Sequence, residues 1–424
     1  MCAERFRTPS TRAPPKLSAF RTKESRVKHE HPLIVVGASL AGLRAVEAAR
    51  REGWGGPITL LGAEPVLPYD RPPLSKAVLA DGAPVEFKPF RTEAELVTDL
   101  GVTLALGERA TGLDLDRSVI TTNQRTLAYS RLVIATGSSP IPLPGVKFSD
   151  RILSLRTWHD AVALRRRLNQ GGRLAVVGAG FIGAEIASAA VKRGLEVTLL
   201  EAAEAPLVPA LGTAVARALA GVHAANGVTL ATGVRVAAIT ESGGSVDIDL
   251  ADGSRLTADT VVVGVGSRPQ TGWLEGSGLT LDNGVVCDAT LSAAPNVYAA
   301  GDVARWPNAL FGDELMRLEH WTSAAEQGIW AGCNAARETA ESFQTVPYFW
   351  SDWYGNRIQF LGTRSDDVEI IGSGDKFVAL YSSGPKLVGV LGLNSPMVMR
   401  LRAAIVAGDD VDSVREGLLA GTAS

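Results

Sequence analysis

The sequence predicts an α/β protein made of two copies of one strand–turn–helix–strand unit, the second inserted in the first, with a C-terminal α+β domain after them. Three observations predict it. The stretch PLIVVGASLAGLRAVEAARREG (32–53) returns as RLAVVGAGFIGAEIASAAVKRGLEVTLLEAAEAP (173–206). Two β-branched runs interrupted by glycine, LVIATG (132–137) and VVVGVGSRP (261–269), bracket the second copy. Beyond about Gly328 the chain turns to aromatic-rich and strand-like segments. A length of 424 residues fits roughly three domains, and 46% apolar residues suffice for several cores.

In the first copy, Leu33 to Val36 reads as a short β-branched strand and Gly37-x-Ser39-x-x-Gly42 as the turn. Leu43, Val46 and Ala49 recur at helical spacing, Gly53 ends the helix, and a second strand, Ile58 to Leu61, stops before Glu64. In the second copy Leu174 to Val177 is the strand and Gly178-x-Gly180-x-x-Gly183 the turn. Ile186, Ala189 and Ala190 share a helical face, Gly194 ends the helix, and the strand Val197 to Leu200 closes on Glu201.

This spacing has a chemical reason. The first glycine permits the tight turn, and the second lets backbone amides approach a pyrophosphate. The third lets the helix pack on the strand with its positive N-terminal end on the phosphates. The units therefore read as Rossmann-like dinucleotide-binding domains. Candidate binding residues are Gly37, Ala38, Ser39, Ala41 and Gly42 in the first, and Gly178, Gly180, Phe181, Ile182 and Gly183 in the second. Ser39 stands where the first copy would have its middle glycine. An acid at the end of the second strand bonds ribose hydroxyls. Glu201 would meet a 2′-phosphate with a carboxylate, and Ala202 and Ala203 offer no arginine to receive it, so NADH is predicted over NADPH.

Composition narrows the function. A net charge of −3 suggests neither a nucleic-acid partner nor an anionic membrane. No run of 18 apolar residues suggests a transmembrane helix. Residues 1–31 carry eight Lys/Arg against three Glu, hold Pro9, Pro14 and Pro15, and read as a disordered basic tail. The three cysteines, Cys2, Cys287 and Cys333, are far apart in sequence, which argues against a disulfide framework and fits a reducing, cytoplasmic setting. No metal site is expected. A monomer and a homodimer both stay open.

The two bracketing strands read as crossings between the first domain and the inserted one, with Gly266 at the second crossing. NVYAAGDV (296–303) returns to the first sheet and puts Asp302 at a strand's carboxyl end, where ligands bind in open α/β sheets. The expected bounds are 32–145 and 272–328 for the first domain, 146–271 for the second and 329–424 for the third. In the third, Val368–Ile371, Phe377–Tyr381 and Leu387–Leu391 read as antiparallel strands, and Met397–Ala407 as a short amphipathic helix. The aromatics of 343–362 are expected in its core.

One stretch has no place in a helix interior or an inner strand: PYDRPPLSK (68–76), whose prolines predict a stiff, extended segment ending in Lys76. With the two Gly-rich units, ATG (135–137), GSRP (266–269) and AAGDV (299–303), it resembles the FAD-dependent pyridine nucleotide reductases. PPLSK and FWSDWYGNRIQ (349–359) resemble, within them, the NADH:ferredoxin reductases of cytochrome P450 and Rieske-type oxygenase systems. The resemblance runs from Pro32 to the C-terminus.

It implies that the first unit binds FAD, the second NADH, and that electrons leave to a ferredoxin. It places Lys76 beside the flavin's N5 edge, where a fixed ammonium stabilises developing negative charge. Glu185 would approach the nicotinamide and Lys76; these two are the catalytic candidates. Glu64 matches an acid near the adenosine ribose, although Ala63 stands where relatives often carry Asp. Arg71 is assigned to the FAD phosphates, Ala110, Ala135, Thr136 and Gly137 to the FAD lining, Arg156 to a flavin contact, Asp302 to the ribityl or phosphate portion, and the Trp321 amide to the pyrimidine oxygen. Disulfide reductases of similar fold need a redox-active cysteine near the proline-rich segment and a C-terminal His-Glu pair, and neither is present here. Arg44, Arg50, Arg51 and the run 165–167 are candidates for docking an acidic ferredoxin. Two other readings remain: an NADH oxidase or rubredoxin reductase, and a redox-sensing interaction module like the apoptosis-inducing-factor relatives.

Overall fold

The computed structural model describes residues 32–82 and 85–421, so the basic tail and Cys2 lie outside the described residues. The wholly buried strand Leu33–Val36 sits between Ile58–Gly62 and Arg131–Ile134, all three parallel. Strand Val102–Leu106 extends this sheet on one side; Val297–Ala299, then Ser292–Ala294, extend it on the other. The chain thus leaves the sheet after Ile134 and re-enters it at the edge strand Ser292–Ala294, which pairs antiparallel with Val297–Ala299. In between it builds a second sheet, in the order 229–231, 196–200, 173–177, 260–263, 152–153, parallel throughout.

The repeat is longer than the glycine turns. Each parallel sheet is followed by a three-stranded antiparallel one: 110–114, 119–122 and 126–128 in the first unit, 236–242, 245–250 and 255–258 in the second. The crossing VVVGVGSRP is two strands rather than one. Thr260–Val263 ends in the second sheet, the chain turns at Gly266 (φ +113°), and Ser267–Pro269 pairs antiparallel with Ser138–Pro140. The two crossings therefore run side by side as a ribbon.

PYDRPPLSK also differs from the extended segment expected. Pro72–Ser75 is a 3₁₀ turn with its prolines at the first two positions. Proline is tolerated there because its missing N–H is one that a helix start leaves without an intrahelical partner.

Helices Leu40–Arg51 and Trp321–Ala336 pack face to face. Gly328 and Gly332 allow the approach: a Cβ on Gly328 would lie 2.3 Å from the Ala41 carbonyl oxygen, and one on Gly332 2.2 Å from that of Ala45.

The C-terminal domain is a five-stranded antiparallel sheet in the order 348–353, 356–362, 386–393, 376–383, 367–373. The first two strands were hidden in the aromatic-rich stretch. Their two-residue turn is Tyr354-Gly355, both at positive φ (52° and 91°), a hairpin geometry in which tyrosine is unusual. The 397–407 segment is a 3₁₀ turn (Val398–Leu401) followed by a short helix (Arg402–Ala407), and a further helix, Val411–Leu419, follows, capped by Asp410.

This sheet packs on the second unit. Leu211, Val215, Leu219 and Val222 share a core with Trp353, Phe360 and Tyr381. The Tyr381 hydroxyl donates to the Leu211 carbonyl at 2.8 Å, and His223 Nδ1 meets the Tyr354 hydroxyl at 2.8 Å. His223 is wholly buried, and burial lowers its imidazole to about 4. Below the unfolded value near 6.5 the unfolded chain takes up a proton that the folded one refuses. Stability is therefore expected to fall as pH drops from about 6.5 to about 4, by about 3 kcal/mol for this one group, and to level off below that. Urea unfolding midpoints at pH 7.5 and 5 should differ more for the wild type than for His223→Gln; parallel shifts would discount the histidine.

Candidate active site

A cavity of about 1270 Å³ runs along the carboxyl ends of the strands of both parallel sheets. All the candidate binding residues line it except Gly42. Gly42 works beneath it: a Cβ there would lie 1.9 Å from the Gly37 carbonyl oxygen. Gly183 plays the same part under Gly178, at 2.2 Å. Gly37 (φ +121°) and Gly178 (φ +101°) each combine a left-handed backbone with a neighbouring strand's carbonyl within 2.3 Å of a would-be Cβ. Gly180 differs: nothing lies within 4 Å of its missing side chain. No protein packing requires that glycine, so the space is left for something approaching the backbone closely. Ser39 holds the same position in the first unit, and its hydroxyl accepts from Arg71 Nε at 3.3 Å.

The two acids occupy different places. Glu201 directly follows strand Glu196–Leu200, and its carboxylate accepts from the Ala179 amide at 3.0 Å and the Ala203 amide at 2.9 Å. The equivalent place in the first unit is Gly62, since Gly37 N donates to Leu61 O as Gly178 N does to Leu200 O. Glu64 lies two residues further on, bonded to Arg71 (2.6 Å) and the Tyr69 hydroxyl (2.7 Å). Arg71 also reaches the Arg156 carbonyl at 2.6 Å.

Lys76 and Glu185 meet. The Lys76 ammonium forms an ion pair with the Glu185 carboxylate, which is 8% exposed. Glu185 also accepts from the Ser75 hydroxyl and the Ser351 hydroxyl, each at 2.5 Å, and Asp352 Oδ2 lies 3.6 Å from Lys76. One buried carboxylate thus gathers the proline-rich turn, the second unit's helix and the C-terminal sheet. Ser351 and Asp352 were not singled out in the sequence; nothing but the fold brings them here. Phe349 and Trp350 also line the cavity, so the aromatic stretch is not wholly core.

Asp302 bonds Arg156 Nη2 and the Ser138 hydroxyl, both at 2.8 Å. Burial pushes its carboxyl up, but the Arg156 guanidinium, that hydroxyl and Arg71 together hold it below its usual range. Trp321 is the first residue of its helix, and its indole donates to Asp70 at 2.8 Å. Two buried ring nitrogens of cavity-lining residues have no partner among the described residues, His320 Nδ1 and Trp273 Nε1.

Residues 31–328 match the pyridine nucleotide-disulphide oxidoreductase family, and 348–416 match a reductase C-terminal domain. The chain belongs to the pyridine nucleotide-disulphide oxidoreductase family. It is 35% identical to rhodocoxin reductase of Rhodococcus erythropolis, over 86% of each chain. It is 34% identical to the ferredoxin–NAD(+) reductase subunit of a benzene 1,2-dioxygenase system of Pseudomonas putida, over 91% of this chain and 90% of the other. Its fold matches that in a covalent putidaredoxin reductase–putidaredoxin complex with a TM-score of 0.84 at 30% identity, covering 93% of this chain and 99% of that one.

As a member of this oxidoreductase family the chain works with FAD and NAD(H). Its residues fit them: open space above Gly180, unpaired ring nitrogens on cavity-lining residues, and a helix start at Trp321 whose first amides have no intrahelical partner. Among the described residues the disulphide of the family name has no counterpart in this site. Cys287 and Cys333 are both free and outside the cavity lining, and burial pushes their thiols up to about 12 and about 11.

Several docking candidates have partners within the chain. Arg50 donates to the carbonyls of Leu100, Trp54, Gly56 and Gly101. Arg165 holds the Val78 and Ala80 carbonyls, and buried Arg167 holds that of Asp259. Arg44 pairs with Glu47 and Arg166 with Asp150. A basic run on a helix does not reveal in sequence which side chains reach back to cap loops.

Proposed function

We propose that the protein is an NADH-dependent flavoprotein reductase that passes electrons through FAD to a ferredoxin serving an oxygenase or cytochrome P450. The observation that carries this reading is the Lys76–Glu185 pair in a thiol-free cavity shared by two dinucleotide units. The names of the two relatives given above support it, since both are reductases named for an electron carrier or for a ferredoxin.

The cofactors supply the hydride and electron chemistry; the protein supplies position and field. Gly37, Ser39 and the start of helix Leu40–Arg51 receive the FAD pyrophosphate, with Glu64 and Arg71 on its adenosine side. Ala110, Ala135, Thr136, Gly137, Arg156 and Asp302 would line the rest of its length, and the Trp321 amide would serve the pyrimidine oxygen. Gly178, Gly180 and the amides from Phe181 to Gly183 receive the NADH pyrophosphate, Glu201 the ribose hydroxyls, and Gly266 the nicotinamide side. Lys76 would stand at the flavin's reactive edge, with its ammonium held by the Glu185 carboxylate.

The test is stopped-flow reduction of the yellow protein by NADH, followed by ferredoxin-dependent cytochrome c reduction at rising salt. Rapid bleaching, turnover that requires an added ferredoxin, and a KM for it that climbs with ionic strength are expected. Fast peroxide or water formation that no ferredoxin alters would point to an oxidase instead.

A further inference from the structure

The two units match at a second place besides their glycine turns. Gly107 N donates to Glu64 O (3.1 Å) and Glu108 N to Gly62 O (3.0 Å); correspondingly, Gly233 N donates to Ala203 O (2.8 Å) and Val234 N to Glu201 O (2.9 Å). In both units the next residue is an arginine, Arg109 or Arg235, leading into the antiparallel sheet. Both are exposed and both line the cavity. The other cavity arginines are engaged, Arg71 by Glu64 and Arg156 by Asp302. Among the described residues, the guanidinium groups of Arg109 and Arg235 have no hydrogen bond or ion pair.

In the second unit this has a consequence for selectivity. The Glu201 carboxylate is fixed by two backbone amides and makes no ion pair with Arg235. Yet Arg235 directly follows the residue whose amide bonds the Glu201 carbonyl. A pinned negative charge and an uncommitted positive one therefore line the same cleft, on residues linked through the Val234–Glu201 backbone bond.

We propose that Arg235 binds the adenosine-phosphate end of the pyridine nucleotide and is a latent acceptor for a 2′-phosphate that Glu201 masks. The proposal rests on the second unit being the NADH site. Selectivity is a difference of affinities, and here the repulsive element is Glu201 while the attractive one is already in place. A planar guanidinium suits phosphate oxygens, and such charge-assisted bonds are about twice as strong as neutral ones.

The experiment is calorimetric titration of the FAD-loaded protein with ADP-ribose and 2′-phospho-ADP-ribose, so the readout is binding rather than turnover. Arg235→Ala is expected to weaken ADP-ribose several-fold at an unchanged melting temperature, the side chain being exposed. Glu201→Ser should improve 2′-phospho-ADP-ribose binding by about tenfold or more, and the double variant should lose that gain. In the wild-type background Arg235→Glu should weaken both ligands more than Arg235→Ala, a comparison that does not depend on Glu201→Ser folding. An equal gain in Glu201→Ser with and without Arg235, or unchanged ADP-ribose affinity in both Arg235 variants, would overturn the proposal. Wild-type protein that binds no ADP-ribose would refute the NADH-site reading itself.

Discussion

Gly328→Ala is expected to lower stability by about 2–3 kcal/mol and the melting temperature by roughly 5–10 °C, with loss of bound flavin. The added methyl would lie 2.3 Å from the backbone oxygen of Ala41, which no rotamer change can relieve, so helices Leu40–Arg51 and Trp321–Ala336 must part. Both helices begin at the cavity, one after the Gly37 turn and the other at Trp321. Spreading them displaces both helix starts from whatever they hold. Gly221→Ala is the control. It lies in helix Thr213–Ala225 with nothing within 4 Å of a Cβ, and there alanine should be neutral or stabilising by about 0.5–1 kcal/mol. Thermal unfolding and flavin-to-protein absorbance ratios of the two variants decide it; matching melting temperatures would show that the close approach is not needed.

Lys76→Ala is expected to slow flavin reduction by NADH about 10²-fold, the cost typical of losing one preorganised charge-stabilising group, while flavin content stays unchanged. The substitution leaves the Glu185 carboxylate with two serine hydroxyls and no cation. Its negative field then faces the cavity uncompensated. Glu185→Gln tests the other half of the pair: the ammonium survives, Asp352 remains 3.6 Å from it, and a smaller loss is expected. Stopped-flow reduction rates and the flavin's midpoint potential check both variants. A rate and potential unchanged in Lys76→Ala would remove Lys76 from the chemistry.

How much of this site was legible depended on how local each interaction is. The glycine turns could be read because their geometry is closed by a few consecutive residues. Gly42 does not line the cavity, but its packing role is legible, because a Cβ there would meet the Gly37 carbonyl. PYDRPPLSK reads as extended because proline forbids helix interiors, but the same residue suits a helix start, and local sequence does not separate the two. The Tyr354-Gly355 hairpin escaped because its first turn residue is one that seldom takes positive φ. The basic residues at 50, 165 and 167 looked like a surface, yet their partners are carbonyls from distant loops.

The amino-acid order alone determined that two Gly-rich turns of the phosphate-binding pattern exist, that an acid ends one of the paired strands, and that the three cysteines are not sequence neighbours. The first two follow from backbone sterics or residue chemistry within one short segment. Only the tertiary structure decided that the Glu185 carboxylate should be shared by Lys76, Ser75 and Ser351, that Glu64 and Glu201 are not equivalent, and that Arg235 stands unpaired beside Glu201. Those relations join segments up to 166 residues apart. They are set by how sheets and helices pack, which no single stretch encodes.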